Sequence, residues 1–244
     1  MDVAPTAPAW THGASGTTAF VRGLAIAAST PGAVLFLTAL GFGTLVRDAG
    51  LPLGHAIFLS LAMYALPAQV MVVDQLQRGA ALLAIALAVT LTAVRLLPMT
   101  VSLLPYLRSP GSSAWSRLAA VHFIAITSWI EGSRRLPQVP EALRFKHFLG
   151  IGTGMMAATT GGSAAGYLVA GQMPLSAQAA LLFMTPVYFL LSTIAAANHR
   201  RDWIAMGLGA VLTPLLSLFL PGADLLLGGI IGGTIGYLAG RVRR

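Results

Sequence analysis

Long, uninterrupted apolar runs such as Ala80–Val94 and Ala177–Ala197 constrain this chain more than any other feature. Only 9% of its residues are charged, whereas a soluble domain averages roughly 25% because its surface faces water. The surface of this chain therefore has to face lipid, where only helices and closed barrels satisfy their backbone groups. A barrel would require short segments of strict apolar–polar alternation, which these runs lack. The sequence predicts an all-α fold, a polytopic integral membrane helix bundle.

Runs that approach the roughly 20 apolar residues of a membrane-spanning helix occur eight times in the chain. The predicted spans are Thr18–Val46, Leu53–Gln75, Gly79–Leu104, Trp115–Ile130, Phe145–Ala170, Ala177–Asn198, Trp203–Leu220 and Asp224–Gly240. If all of them cross, eleven of the 15 basic residues fall on one side and three on the other, with Arg95 inside a span. Because cytoplasmic loops carry the excess of Lys and Arg, both termini are predicted to be cytoplasmic. The short turn at Arg78 leaves open a helix pair that does not fully cross.

The chain is divided by its composition into a polar, Pro-rich tail, residues 1–17, and a single transmembrane domain, residues 18–244. The tail has no basic region before an apolar one, so we predict a mobile soluble segment rather than a signal peptide. A shift of 122 positions aligns Ala25–Leu53 with His147–Leu175. This weak repeat predicts two related halves, about 19–133 and 145–240.

Helix-breaking residues interrupt the predicted spans at matching places in the two halves. The interrupting residues are Ser29, Thr30, Pro31 and Gly32 in the first half, and Thr159, Thr160, Gly161 and Gly162 in the second. Proline removes an amide donor, and glycine permits a non-helical backbone. Paired interruptions of this kind mark binding sites in transporters, where free amides suit a carboxylate and free carbonyls suit an ammonium. The alternative is that these small residues only let helices pack closely.

Four polar residues in or near the apolar runs are further candidates. Gln69 and Arg95 lie at predicted membrane depth, where polar side chains are costly and tend to serve a function. We predict that both line the substrate path between the two broken helices, although a structural clamp is the alternative for Arg95. Asp74 is expected to pair with Arg78 at i+4, and Glu131 is expected near the interface; both are candidate coupling residues.

Several function classes find no support in the sequence. The absence of cysteine excludes disulfides and thiolate chemistry, and the scattered histidines form no metal-ligand spacing. The basic residues form no stripe that would bind nucleic acid, and no nucleotide-binding motif is present. Ser163 lies among glycines as in intramembrane serine hydrolases, but no histidine is placed as its base. The protein is therefore predicted not to be an enzyme and to need no cofactor.

The stretches LVRDAGLPLGHAIFLSLAMYALPAQVMVVDQL and AVTLTAVRLLPMTVSLLPYL resemble the AzlC-like branched-chain amino acid exporters. Gln69 matches the family's glutamine and Arg95 its arginine. The second half, from FLGIGTG to GGIIGGTIGYLAG, is also similar, so the resemblance covers roughly residues 19–240. Two departures are evident, because Ala93 replaces a family asparagine and an acidic pair is replaced by Ile126 and Thr127.

The resemblance implies a secondary transporter in the bacterial cytoplasmic membrane that exports branched-chain or similar small hydrophobic amino acids. It also implies coupling to protons and a small AzlD-like membrane subunit as partner. The missing acidic pair leaves the coupling open, because intramembrane carboxylates are the usual proton relays. A non-transporting membrane scaffold is the alternative function, and it would not need Gln69, Arg95 and the two breaks to converge on one cavity.

Overall fold

A computed structural model of the chain describes Trp10 and residues 15–108, 112–197, 199–219 and 224–241, all of whose regular elements are helical. Most of the predicted tail, residues 1–17, lies outside this part of the chain. The α-helices are α1 Gly16–Leu24, α2 Thr30–Asp48, α3 Leu53–Ala62, α4 Leu66–Gln77, α5 Leu82–Ala93, α6 Leu96–Leu107, α7 Ala114–Val121, α8 Ile126–Arg135, α9 Glu141–Val169, α10 Leu175–Ala196, α11 Arg200–Phe219 and α12 Asp224–Arg241. Short 3-10 turns follow α1, α8 and α9.

Local sequence signals set several of the helix ends. The Ser15 and Ser113 side chains accept hydrogen bonds from the first-turn amides of α1 and α7. Glycines with positive φ, Gly50 at 72° and Gly79 at 70°, end α2 and α4. At each of these glycines the following amide reaches back five residues to a helix carbonyl, as in a Schellman motif. The positions of Gly50 and Gly79 in the sequence therefore determine where the turns after α2 and α4 occur.

The last four predicted spans coincide with single helices, whereas the first four do not. Helices α9, α10, α11 and α12 match the fifth to eighth spans within a few residues. The first span is divided into α1 and α2, as its predicted interruption requires. The sequence predicts breaks in only two spans, the first and the fifth, whereas the second, third and fourth spans are each split into two helices. The breaks fall at Met63–Ala65, Val94–Arg95 and His122–Ala125.

Two helices in the described part of the chain, α2 and α11, are long and apolar enough to cross a membrane. A third span results if α5 and α6 are counted together. The prediction of eight spans is therefore not confirmed. Large apolar side chains nevertheless stand exposed on the helices, including Leu82 on α5, Val101 on α6 and Leu218 on α11, each about 70% or more exposed. A surface of this kind suits lipid rather than water.

The chain separates into two compact units. Unit 1 comprises Met1–Val70 and Leu96–Met184, and unit 2 comprises Met71–Arg95 and Thr185–Arg244. In unit 2, α11 and α12 pack as an antiparallel pair, because Gly228 contacts Thr213 while Gly236 contacts Arg201 and Ala205. Glycine at these positions allows the two backbones to approach closely.

Unit 1 is organised around α9, along which α1 and α2 lie in a parallel direction. The contacts run in the same order on both sides, from Gly23 beside His147 to Gly43 beside Ser163. At the common end, the Arg47 guanidinium donates to the Tyr167 and Leu168 carbonyls at 3.0 and 3.2 Å. A basic group at the C-terminus of a helix satisfies carbonyls that have no intrahelical partner.

The second predicted helix break is wrong. Thr159, Thr160, Gly161 and Gly162 lie inside the 29-residue helix α9, which passes through them without interruption. The physical reason is packing: a Cβ on Gly162 would meet the Phe36 carbonyl oxygen, and one on Gly166 would meet that of Leu40. The small residues therefore serve the close approach of α2 to α9, which is the alternative that the sequence left open.

Candidate functional site

Three helix breaks of unit 1 converge on one side of α9. Ile26 comes from the turn after α1, Tyr64 from the break between α3 and α4, and Phe123 and Ala125 from the break between α7 and α8. All of them pack in one cluster with three α9 side chains, namely Ile151, Met155 and Met156. Broken helices expose backbone groups that a continuous helix would use internally. Their convergence makes this region the candidate functional site.

The first break lies where the sequence predicts it. Ser29 is extended, with φ −95° and ψ 177°, and its hydroxyl donates to the Ile26 carbonyl at 2.6 Å. Pro31 lies in the first turn of α2, where a missing amide costs nothing. Gly32 is buried against the Ala27 backbone, so a side chain there would force the break open. Thr30 is exposed, and so it is not among the buried polar groups.

Gln69 completes the second break. Its side chain is fully buried, and its Nε2 donates to the Met63 carbonyl at 2.6 Å. The same carbonyl accepts from the Ala65 amide at 2.7 Å, so the Gln69 side chain adds a second hydrogen bond to the backbone of the break. The Gln69 Oε1 has no hydrogen-bond partner in the described part of the chain. The break was not predicted from the sequence, although Pro67 is a possible signal for it, because proline is tolerated in the first turn of a helix and not in its interior.

Several buried hydroxyl groups lie on α9 and on the chain around the second break. The Ser60 and Ser163 hydroxyls lie 2.9 Å apart, and Ser163 donates to the Thr159 carbonyl at 3.0 Å, so Ser60 donates to Ser163. The Tyr64 hydroxyl lies next to the Thr159 side chain, yet it makes no hydrogen bond of ordinary geometry to the described residues. The Thr160 hydroxyl oxygen likewise has no partner among them. Buried polar atoms without partners are uncommon in proteins, and they mark places where a ligand or water binds.

Hydrogen bonds stabilise the third break internally and join it to the end of α3. A ring nitrogen of His122, Nε2, lies 2.8 Å from the Leu61 carbonyl at the end of α3. The Ser128 hydroxyl donates to the Phe123 carbonyl at 2.5 Å and accepts from the Ala125 amide at 2.9 Å. Thr127, at one position of the missing acidic pair, is buried beside it. Sequence reasoning missed this break, because no proline or glycine marks it.

Arg95 lies at the break between α5 and α6, not inside a continuous helix as predicted. It is partly buried, and its Nε has no acceptor in the described part of the chain. Arg95 ends a segment of unit 2, whereas Gln69 belongs to unit 1. That the two residues line one path therefore stays a prediction.

The two candidate coupling carboxylates differ in environment. Asp74 pairs with Arg78 at 2.9 Å on the surface, as predicted, and the bond and charge of Asp74 raise the pKa of Arg78. Glu131 is only 3% exposed and accepts from the Arg135 Nε at 2.7 Å. Glu131 is thus a buried carboxylate held by a half-exposed arginine.

A cavity of about 350 Å³ adjoins the first break. It is lined by Arg22, Ile26, Ser29, Arg135, Gln138 and His147, with Trp10, Ala25 and Val139 completing the wall. Ile26 also belongs to the cluster of converging breaks, so the cavity and the cluster share a wall. From the sequence alone, Arg22 is only one of the basic residues on the predicted cytoplasmic side, and nothing marks it as part of a cavity.

The geometry around Ser163 does not resemble a hydrolase. The hydrogen bonds of its hydroxyl go to Ser60 and Thr159, and no histidine is among its partners in the described residues. His147 lies on the same helix sixteen residues away, about 24 Å along the axis at 1.5 Å per residue. Its Nδ1 bonds the Ala19 carbonyl at 2.9 Å. The described residues also contain no group of three His, Asp or Glu side chains placed to hold a metal.

The sequence model of one protein family, described as AzlC protein, matches residues 32–173. The matched region runs from the start of α2 to the turn after α9, and it contains Gln69, Arg95 and the second and third breaks described above. No match was found among curated proteins or among solved structures.

Proposed function

Because the chain belongs to the AzlC family, we propose that it is a secondary transporter that exports branched-chain or similar small hydrophobic amino acids. Family membership makes it a membrane transport protein of the branched-chain amino acid exporter type. The AzlC family is associated with transport, which also fits a protein that is not an enzyme. The substrate is proposed from the family.

The main structural support for a transport role is the convergence of three helix breaks on α9. Unpartnered polar atoms belong to Tyr64 in the second break, to Gln69 on α4 and to Thr160 on α9. A small zwitterion could bind polar side-chain atoms of this kind, while the apolar cluster accommodates its side chain. A scaffold subunit has no need for buried polar atoms without partners, because each of them costs free energy.

The proposal includes a location and a partner. We propose the bacterial cytoplasmic membrane as its location, which is what the family resemblance implies, and both termini in the cytoplasm, which is what the loop charges predict. The AzlC family is generally associated with a small AzlD partner, so we propose that a subunit of this type completes the exporter. Export is proposed to be driven by the proton gradient.

Cells that produce the protein together with an AzlD-type subunit, loaded with an isoleucine-containing dipeptide, provide the test. We expect faster isoleucine efflux than in cells with an empty vector, and slower efflux after Gln69→Ala or Arg95→Ala. Each loss is expected to be about tenfold or more, as for a lost hydrogen bond to a polar or charged group. The same assay with leucine, valine and methionine defines the substrate range.

Two matched variants serve as controls. Gln77→Ala removes an exposed glutamine of the same helix as Gln69, and Arg108→Ala removes an exposed arginine after α6. Neither is expected to change efflux at equal abundance in the membrane. Wild-type efflux no faster than the vector would contradict the exporter function, whereas unchanged efflux in both test variants would contradict only their place in the path.

A further inference from the structure

The cavity beside the first break is unusual in its charge. Arg22 and Arg135 line it, and no acidic residue is among its described lining residues. Arg135 is paired with Glu131, so its charge is largely balanced. Arg22 has no carboxylate partner in the described part of the chain, and its Nη1 is buried without an acceptor. Arg22 is therefore the unbalanced cation of the cavity.

The surroundings of Arg22 strengthen its preference for an anion. The Trp10 ring lies 4.8 Å from the guanidinium carbon and 5.6 Å from the His147 ring. The Trp10 ring therefore covers the guanidinium without supplying a negative charge. A guanidinium shielded from water with a free N–H binds an oxyanion more strongly than an exposed one does.

The N-terminus of α2 adds to the positive electrostatic potential that Arg22 creates in the cavity. Ser29 lines the cavity and precedes this 19-residue helix, but its hydroxyl bonds the Ile26 carbonyl and does not cap α2. The first amides of a helix have no intrahelical acceptor, and the helix dipole makes that end positive. The apolar part of the cavity wall comes from Ile26, Ala25 and Val139.

We propose that this cavity binds the oxyanion of a small, partly apolar molecule through Arg22, and that its ligand is the carboxylate of a free amino acid. The volume of about 350 Å³ lies in the range of small-molecule sites. The choice of an amino acid over a lipid phosphate rests on the proposed export function, which requires a site for free substrate. Arg22 is the residue that selects for the carboxylate.

Purified full-length protein in phosphatidylcholine nanodiscs tests the proposal by calorimetric binding of three probes. Leucine carries both charged groups, 4-methylpentanoate keeps the carboxylate without the amine, and leucinol keeps the amine without the carboxylate. We expect binding of leucine and 4-methylpentanoate but not of leucinol. Arg22→Gln is expected to weaken both about 10- to 100-fold, as for a lost charge-assisted hydrogen bond. Arg22→Lys, which keeps the charge and guards against misfolding of the first variant, is expected to weaken them less.

Arg134→Gln is the matched control, because Arg134 is an exposed neighbour of Arg135 that does not line the cavity. It should bind all probes as wild type does. Equal binding by wild type and Arg22→Gln, or leucinol binding as tightly as leucine, would overturn the carboxylate site even if leucine efflux is normal. An Arg22-dependent signal that appears only with phosphatidylglycerol in the nanodisc would assign the cavity to a lipid headgroup and overturn the amino acid. Failure of efflux with intact, Arg22-dependent binding would instead reject the exporter function and leave the site in place.

Discussion

At the scale of single residues, Arg22, Gln69 and Arg95 each have a buried polar side-chain atom without a hydrogen-bond partner in the described part of the chain. Gln69 and Arg95 stand out because polar groups are costly at membrane depth. The bond from Gln69 to the Met63 carbonyl depends on a break that the sequence did not reveal. Arg22 carries no comparable signal in the sequence, because the cavity beside it is lined by residues of α1, α8 and α9 that come together only in the fold.

Burial separates the two candidate coupling residues and yields a prediction at this scale. Glu131 is buried, whereas Asp74 is half exposed. A carboxylate withdrawn from bulk water can exchange its proton in step with a conformational change, and protonation of Glu131 would release Arg135. We therefore expect Glu131→Gln to remove the dependence of efflux on the proton gradient, while Asp74→Asn keeps it.

The measurement is isoleucine efflux with and without an uncoupler in the same loaded cells. Both variants replace a carboxylate by an amide of the same size, so they differ mainly in the position of the lost charge. Efflux by Glu131→Gln that still falls on addition of the uncoupler would argue against this carboxylate as the coupling group.

At the scale of helices, the sequence predicts the uniform elements well and the interrupted ones poorly. Helices α9 to α12 follow from continuous apolar runs, and the first break follows from Pro31 and Gly32. The break after α7 has no proline or glycine, so it depends on bonds such as that of Ser128 to Phe123. Conversely, the glycines of α9 looked like a break, because the sequence alone cannot show that α2 lies against them.

Substitution of two adjacent glycines in α9 can test whether glycine is needed there for close packing or for backbone flexibility. A Cβ on Gly162 would meet the Phe36 carbonyl oxygen, whereas one on Gly161 would only touch the Phe36 ring at 3.9 Å. We expect Gly162→Ala to destabilise the protein by about 1–3 kcal/mol through overpacking. Gly161→Ala should be neutral or stabilising by up to about 1 kcal/mol, because alanine favours a helix.

Unfolding of the two variants in detergent, followed by circular dichroism, measures this difference. The substitutions are chemically identical and adjacent, so each serves as the reference for the other. Equal destabilisation by both would mean that α9 needs backbone freedom at this point, and it would restore the break that the sequence predicted.

At the scale of the whole molecule, the parallel packing of α2 against α9 is the feature that is hardest to predict from the sequence. The repeat offset of 122 residues hints at it, because α3 begins at Leu53 and α10 at Leu175 after equivalent turns. The packing itself depends on close contacts such as Gly43 against Ser163, which are far apart in sequence. Parallel helices also require an odd number of membrane crossings between them, which the three split pairs α3–α4, α5–α6 and α7–α8 can supply.

The parallel packing predicts which loops share a side of the membrane. Because Arg47 bonds the carbonyls of Tyr167 and Leu168, the chain leaves α2 and α9 at the same face. The chain contains no cysteine, so single cysteines report position without background. We expect Asp48→Cys and Gln172→Cys, both exposed, to react with a membrane-impermeant maleimide in intact spheroplasts. The exposed Ala142→Cys, at the start of α9, should react only after permeabilisation, because its loop carries the basic residues of the cytoplasmic side. Labelling of Asp48→Cys and Gln172→Cys from opposite sides would be incompatible with the parallel pair, whereas labelling of all three from outside would reject the predicted orientation.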